Sequence, residues 1–138
     1  MQNGWFEQIE ILSNRFSSCN EIMFAYIHGS ALHSTSPHDI DIAIFLFPQE
    51  LENITRSKQL ELDYLIPSEK EIEQLIRRKT DIQVLNRAPL GFRFRVVNSG
   101  TVILDRDPLF REQFELLSRV EYFDFRPRQK EYLREALR

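Results

Sequence analysis

Residues 22–46, IMFAYIHGSALHSTSPHDIDIAIFL, decide the fold of this chain. The run opens with apolar and aromatic residues, which predict a buried strand that ends at His28. After a polar loop, Asp39 begins a second predicted strand, in which acids and isoleucines alternate and which Pro48 ends. Because side chains alternate across a strand, Asp39 and Asp41 share one face and isoleucines cover the other.

Asp39 and Asp41 are candidate metal ligands. Their Cα atoms lie roughly 7 Å apart, so their carboxylates repel each other unless a cation lies between them. Mg²⁺ binds oxygen ligands, usually one or two protein carboxylates together with substrate phosphates and water. The simpler alternative is a solvated pair of acids at the mouth of a strand, since a short motif alone is weak evidence.

The Gly29-Ser30 pair follows the first predicted strand and suits a phosphate group. Glycine lets the backbone approach a ligand closely, and Ser30 offers a hydroxyl and a backbone N–H. A short helical turn over residues 30–34 would direct free N–H groups toward an anion. Such a pair is more often an ordinary turn, and it gains meaning here from the Asp-x-Asp strand that follows it.

The Gly-Ser pair, the loop and the Asp-x-Asp strand together resemble the minimal nucleotidyltransferases of the DNA polymerase beta superfamily. Gly29, Ser30, Asp39 and Asp41 carry the resemblance. It implies a nucleotidyltransferase fold of the mixed α/β class, with a small mixed sheet flanked by helices. It also implies a Mg²⁺-dependent enzyme for which ATP is the substrate, with the outer phosphates at Gly29 and Ser30.

The resemblance also implies a third carboxylate on a later strand, and Asp81 fits this position. Asp81 begins the predicted strand 81–86, with Gln83 on its own face. In the implied mechanism, Asp39, Asp41 and Asp81 are the catalytic and metal-binding residues. Asp81 would bind the metal that activates an acceptor hydroxyl, or accept the proton of that hydroxyl directly. The alternative for Asp81 is a structural role, such as capping the preceding helix.

Within the superfamily, the chain looks like the MntA-type antitoxins, which are partners of HEPN-domain toxins. This likeness implies transfer of AMP from ATP to a hydroxyl, such as a tyrosine, of a HEPN ribonuclease toxin, which neutralises it. It further implies a hetero-oligomer. The helical tail, about residues 107–138, is the expected contact, because it combines aromatic and basic side chains that interfaces favour. The dense aromatic set of that tail consists of Tyr122, Phe123, Phe125 and Tyr132.

Two alternatives to this function stay open. Ser34 stands where the family usually has a second glycine, which favours an inactive relative that neutralises its partner by binding alone. The other alternative is a nucleotidyltransferase that modifies a small hydroxylated molecule. For that activity a second, pocket-forming domain is expected.

Composition agrees with one small domain over residues 1–138. The formal charge of −3 offers no basic field for nucleic acid, so direct nucleic-acid binding is not expected. The single cysteine, Cys19, cannot form an internal disulfide, which suits a reducing cytoplasm. No segment has the length and apolar purity of a membrane span or signal peptide, so a cytoplasmic protein is predicted.

Periodicity predicts the remaining elements. Helices are expected over the first 16 residues, over 49–65, from Pro67 onward and up to about Val97, and a strand over 101–104. A further helix is expected from the Asp107-Pro108 pair, and a last one after a break at Pro127. The side chains expected to face inward include Ile72, Leu75, Ile76, Phe110, Phe114, Leu117 and, in the tail, Phe125. Arg87, Arg93 and Arg95 follow the Asp81 strand and are within possible reach of phosphates, with a solvated face as the simpler alternative.

Overall fold

The computed structural model describes residues 2–29, 39–51 and 54–136. Several predictions lie outside this part of the chain. They concern Ser30, the helical turn over residues 30–34 and the substitution at Ser34. The side chain of Tyr132 is also outside what the structure describes.

A four-stranded mixed sheet forms the centre of the fold, as predicted. The strands are β1 (Ile22–His28), β2 (Asp39–Leu46), β3 (Lys79–Val84) and β4 (Thr101–Asp105). Their order in the sheet is β3-β2-β1-β4. Strand β1 pairs antiparallel with both β2 and β4, whereas β2 and β3 are parallel. A parallel pair requires a long crossover connection, and the segment between β2 and β3 supplies it with helices.

Helices cover both faces of this sheet. Helix α2 continues through a π-helical turn, Glu61–Leu65, into α3, and a 3₁₀ turn precedes it. Pro67 lies at the start of α3, directly after the π-helical turn, and its missing N–H removes one hydrogen bond at that junction. The helices are α1 (Gln2–Ser17), α2 (Ile54–Leu60), α3 (Ile66–Ile76), α4 (Leu90–Ser99) and α5 (Pro108–Ala136).

Each face of the sheet has its own hydrophobic core. On one face, the isoleucines of β2 pack with Leu12 and Phe16 of α1 and with Ile72 of α3. On the other face, aromatic residues of β1 and β2 pack against α4 and α5, and Phe24 stacks on Phe45 with ring centroids 4.6 Å apart. The acids of β2 lie on this second face, because they alternate with the isoleucines.

Helix α5 corrects one prediction. The break expected at Pro127 is wrong, because α5 is continuous from Pro108 to Ala136. A proline inside a helix removes one hydrogen bond, here the one to the carbonyl of Phe123. Phe123 is exposed, so water can hydrate that carbonyl and the helix can continue.

Three side chains predicted to face inward are instead exposed. Leu75 is 57% exposed and Leu117 is 53% exposed. Each precedes a buried residue of its helix, Ile76 or Ser118, and successive residues lie about 100° apart around a helix. The third side chain, Phe125, is 48% exposed.

Across the described ranges, no helix combines the length and the apolar character that crossing a bilayer requires.

Candidate active site

The predicted carboxylates lie on one face and at one end of the sheet. Asp39 and Asp41 both point away from the isoleucine core, and Asp81 is the third residue of β3. In the parallel pairing of β2 with β3, Asp41 is directly opposite Asp81. Neighbouring strands lie about 4.8 Å apart, so these two side chains start from adjacent positions. The exposed Asp39 is opposite Lys79.

The backbone beneath the acids is held firmly by its other face. Ile40 and Ile42 are fully buried, and Ile82 of β3 is buried beside them. Removing one such side chain from water stabilises the fold by about 1.5–3 kcal/mol. The alternation that buries the isoleucines therefore also fixes the positions from which Asp39 and Asp41 project.

Gly29 approaches Asp41 from the end of β1. The pairing of β1 with β2 places His28 opposite Asp41, and Gly29 follows with φ +79°. A Cβ atom on Gly29 would lie 2.6 Å from Oδ2 of Asp41, well inside normal contact distance. Both the positive φ and the close approach require glycine. Gly29 therefore lies beside the acids, as the Gly-Ser prediction expects, while its neighbour Ser30 is outside the described residues.

Asp81 is oriented by its own strand. Gln83 donates a hydrogen bond from Nε2 to Oδ2 of Asp81, with the two atoms 3.0 Å apart. Helix α3 ends at Ile76. The next residue, Arg77, has a left-handed backbone conformation with φ 55°. The hydrogen bond to Asp81 comes from its own strand and not from the end of α3. It therefore gives no support to the alternative in which Asp81 caps that helix.

His28 lies beside the acids on the β1 side and Phe92 packs against it, and the motif did not include either of them. The two rings meet edge to face with centroids 5.4 Å apart. Burial lowers the pKa of His28, while the carboxylates of Asp41 and Asp81 oppose this shift by favouring the charged imidazole. Nε2 of His28 is buried and has no hydrogen-bond partner among the described residues. The antiparallel pairing of a Gly-Ser strand with an Asp-x-Asp strand is the sequence signal that could have placed His28 here.

A cavity of about 400 Å³ opens at the β3 side of the acids. Glu69 and Glu73 of α3 form its far wall. Their carboxylates accept hydrogen bonds from the backbone N–H groups of Ile82 and Thr80, at 2.8 and 3.0 Å. These bonds occupy the free edge of β3, which would otherwise present unpaired groups. The full lining is Asp39, Ile40, Asp41, Glu69, Glu73, Lys79, Thr80 and Asp81.

A second cavity of similar size, about 410 Å³, lies near the other end of β3. Its walls include Leu46, Leu65, Val84 and Arg87. The three acids are not among its lining residues, so we assign the chemistry to the first cavity.

The donor set fits magnesium in chemistry. Within residues 2–29, 39–51 and 54–136, no three side chains of His, Cys, Asp or Glu converge as a ready-made metal site. Mg²⁺ does not need such a cage, because it usually takes one or two protein carboxylates and completes its shell with phosphate oxygens and water. Asp41, with Asp39 on its own strand and Asp81 opposite, offers oxygen ligands of this kind.

Comparison with known proteins identifies the class. The family described as Polymerase beta, Nucleotidyltransferase matches residues 10–109, which include both strands of the motif and β3. The chain therefore belongs to the polymerase beta nucleotidyltransferase family. No curated protein sequence matches it.

Solved structures of similar fold come from toxin–antitoxin complexes. One is a chain of a toxin–antitoxin crystal structure with AMP-PNP, with 17% identity, a TM-score of 0.67, and coverage of 95% of this chain and 98% of that chain. Another belongs to the tri-AMPylated Shewanella oneidensis HEPN toxin in complex with MNT antitoxin, with 15% identity, a TM-score of 0.66 and full coverage of both chains. A third, from an MntA–HepT toxin–antitoxin structure, has 16% identity, a TM-score of 0.64 and coverage of 96% and 98%. At these identities the likeness establishes the fold.

Proposed function

We propose that this chain transfers AMP from ATP to a hydroxyl of a partner HEPN toxin and thereby neutralises it as an antitoxin. The observation that carries the proposal is the arrangement around Asp41, which has His28 opposite it on β1 and Asp81 opposite it on β3. Gly29 lies against the same carboxylate. A phosphate-suited turn and a third acid therefore meet the Asp-x-Asp strand from its two sides.

Asp39, Asp41 and Asp81 would hold Mg²⁺. When bound, the metal would offset the negative charge that develops on the transferred and leaving oxygens. Gly29 would contribute its backbone to binding the outer phosphates, because only glycine allows the chain to come this close to Asp41. The roles of these residues are predictions, and the closeness of the described ones at one end of the sheet supports them.

In the proposed reaction, the acceptor oxygen forms a bond to the α-phosphorus of ATP. The bond from that phosphorus to the bridging oxygen breaks, and pyrophosphate leaves. Asp81 would accept the proton of the acceptor hydroxyl, since it lies on the β3 side, where the cavity of about 400 Å³ opens. Its hydrogen bond from Gln83 would hold the carboxylate in a fixed orientation for this transfer.

The partner would contact α5. This helix exposes apolar side chains along one side, among them Leu109, which is 67% exposed, and Leu116, which is 63% exposed. Exposed apolar side chains that recur along one helix face are typical of a surface that binds another protein. Phe123 extends this surface, whereas Tyr122 is half-buried and stacks on Phe94 with ring centroids 4.0 Å apart. The proposed contact therefore uses part of the predicted aromatic set.

The intact mass of the partner toxin tests the proposal. The toxin is incubated with this chain, ATP and magnesium, and in parallel with the Asp39→Asn/Asp41→Asn variant. We expect mass added in steps of one AMP, and none with the variant. Asp63→Asn is the matched control, because Asp63 is an exposed acid on the π-helical turn. Full neutralisation without added mass, unchanged in the double variant, would favour the inactive binder instead.

A screen with ATP and small alcohols of the aminoglycoside type addresses the remaining alternative. Turnover of such an alcohol, with no modification of the toxin, would replace the proposed acceptor by a small molecule.

A further inference from the structure

Three arginines follow the Asp81 strand, and the structure separates their environments. Arg93 is half-buried and forms an ion pair with Glu121 on α5, with nitrogen and oxygen 3.4 Å apart. Arg87 lines the second cavity, away from the acids. Arg95 is exposed, and among the described residues it forms no ion pair. Of the three, Arg95 is therefore the one whose described contacts do not assign it a structural role.

Arg95 lies on the side of the site formed by β1. Its Cζ atom is 5.9 Å from the ring centroid of Phe92, which is the distance of a cation–π contact. Phe92 in turn packs edge-on against His28, which is opposite Asp41 in the sheet. Aromatic packing therefore connects this guanidinium to the acid cluster.

Strand order assigns different groups to the two sides of the acids. Asp81 and the cavity of about 400 Å³ lie on the β3 side of β2. On the opposite side of β2, Gly29 follows the last residue of β1, and α4 packs against β1. If the acceptor enters at β3, the phosphates of the donor occupy the β1 side, where Arg95 projects.

We propose that Arg95 binds the β- and γ-phosphates of the nucleoside triphosphate and that Phe92 positions its guanidinium. This inference rests on the proposed function and deepens it by naming a phosphate-binding residue outside the motif. A guanidinium presents paired N–H donors that match two phosphate oxygens, so it suits this role better than a lysine ammonium. A triphosphate beside three carboxylates also requires positive charge other than the metal, and Arg95 supplies it.

Titration calorimetry of the whole chain with ATP, ADP, AMP and adenosine, in the presence of magnesium, tests this inference. We expect Arg95→Gln to weaken ATP binding about tenfold to a hundredfold, which is typical of losing charged hydrogen bonds. The loss should shrink as phosphates are removed and vanish for adenosine. Arg95→Lys should recover part of the affinity. Arg134→Gln, an exposed arginine in the last turn of α5, is the charge-matched control and should bind like the wild type.

The outcomes distinguish this inference from the proposed function. Wild-type chain that binds none of the four compounds would overturn both. ATP bound equally by the wild type and Arg95→Gln would overturn the inference alone. An equal loss of affinity for ATP and adenosine would also overturn it, because losing a phosphate contact cannot weaken the binding of a compound that has no phosphate.

Discussion

Gly29 is the position where a single methyl group tests the geometry of the site. A Cβ there would lie 2.6 Å from Oδ2 of Asp41, whereas ordinary contact begins at 3.4 Å. In Gly29→Ala, the Asp41 carboxylate must therefore move by about 0.8 Å, or the backbone must shift by as much. An alanine at φ +79° also costs about 1–2 kcal/mol of stability.

The effect on activity should exceed the effect on folding. A displacement near 1 Å of a group that orients the reaction costs on the order of 100-fold in rate. We expect Gly29→Ala to reduce AMP transfer by about 100-fold and the free energy of unfolding by about 1–2 kcal/mol. The rate is measured from the intact mass of the partner over time, and stability from urea denaturation followed by circular dichroism.

Two other glycines of the chain provide matched controls. A Cβ on Gly91, in the first turn of α4, meets nothing within 4 Å, so Gly91→Ala should stabilise the protein by about 0.5–1 kcal/mol and leave transfer unchanged. A Cβ on Gly100 would lie 2.5 Å from the carbonyl oxygen of Val96, so Gly100→Ala should lose stability without a specific loss of transfer. Wild-type transfer by a folded Gly29→Ala variant would refute the assignment of Gly29 and Asp41 to one site.

Other parts of the molecule yield three further predictions. Leu116→Glu combined with Val120→Glu should weaken partner binding by at least about 2 kcal/mol and change the unfolding free energy by less than about 0.5 kcal/mol, as calorimetry and urea titration would show; undiminished binding would move the interface elsewhere. Burial and the hydrogen bond to a neighbouring glutamate raise the pKa of Cys19 to about 11, so a thiol reagent at pH 8 should react at least about 100-fold more slowly than in urea, and the stability this protonated thiol contributes should be lost only as pH rises from about 9 through 11. Glu115→Ala removes the acceptor of the Tyr26 hydroxyl at 2.8 Å and a partner of a neighbouring arginine, and should cost about 2 kcal/mol in urea denaturation; Glu115→Gln keeps an acceptor and loses only the charge, so it should cost less, and a Gln variant as stable as the wild type would contradict the contribution of the ion pair.

Local pattern was enough to predict the elements around the motif. The alternation of acids and isoleucines at the start of β2 places the isoleucines on one face of the strand, and the structure buries that face as expected. The strand before Gly29 was equally clear from its apolar run. Both predictions rest on near neighbours in sequence, which is why they succeeded.

The exposed part of each helix face and the ion-pair partner of Arg93 could not be predicted in this way. Leu75 and Leu117 match a helical period, yet each lies about 100° around its helix from a buried neighbour and is exposed. Periodicity shows which residues share a side of a helix, and only tertiary packing decides which part of that side is covered. The ion pair of Arg93 with Glu121 spans two helices and has no local signal.

The topology of the sheet explains how a chain this short can bring two kinds of group to Asp41. The antiparallel pairing of β1 with β2 alone brings Gly29 to the acids, because antiparallel strands place the end of one beside the start of the next. Asp81 needs the parallel pairing of β3 with β2, and therefore the helical crossover that also contributes Glu69 and Glu73. The β1 side and the β3 side of the site thus come from separate segments of the chain. Substitutions in the crossover could alter the acceptor that enters beside Asp81 while Gly29 and Asp41 keep their contact, so acceptor choice and nucleotide binding can change independently.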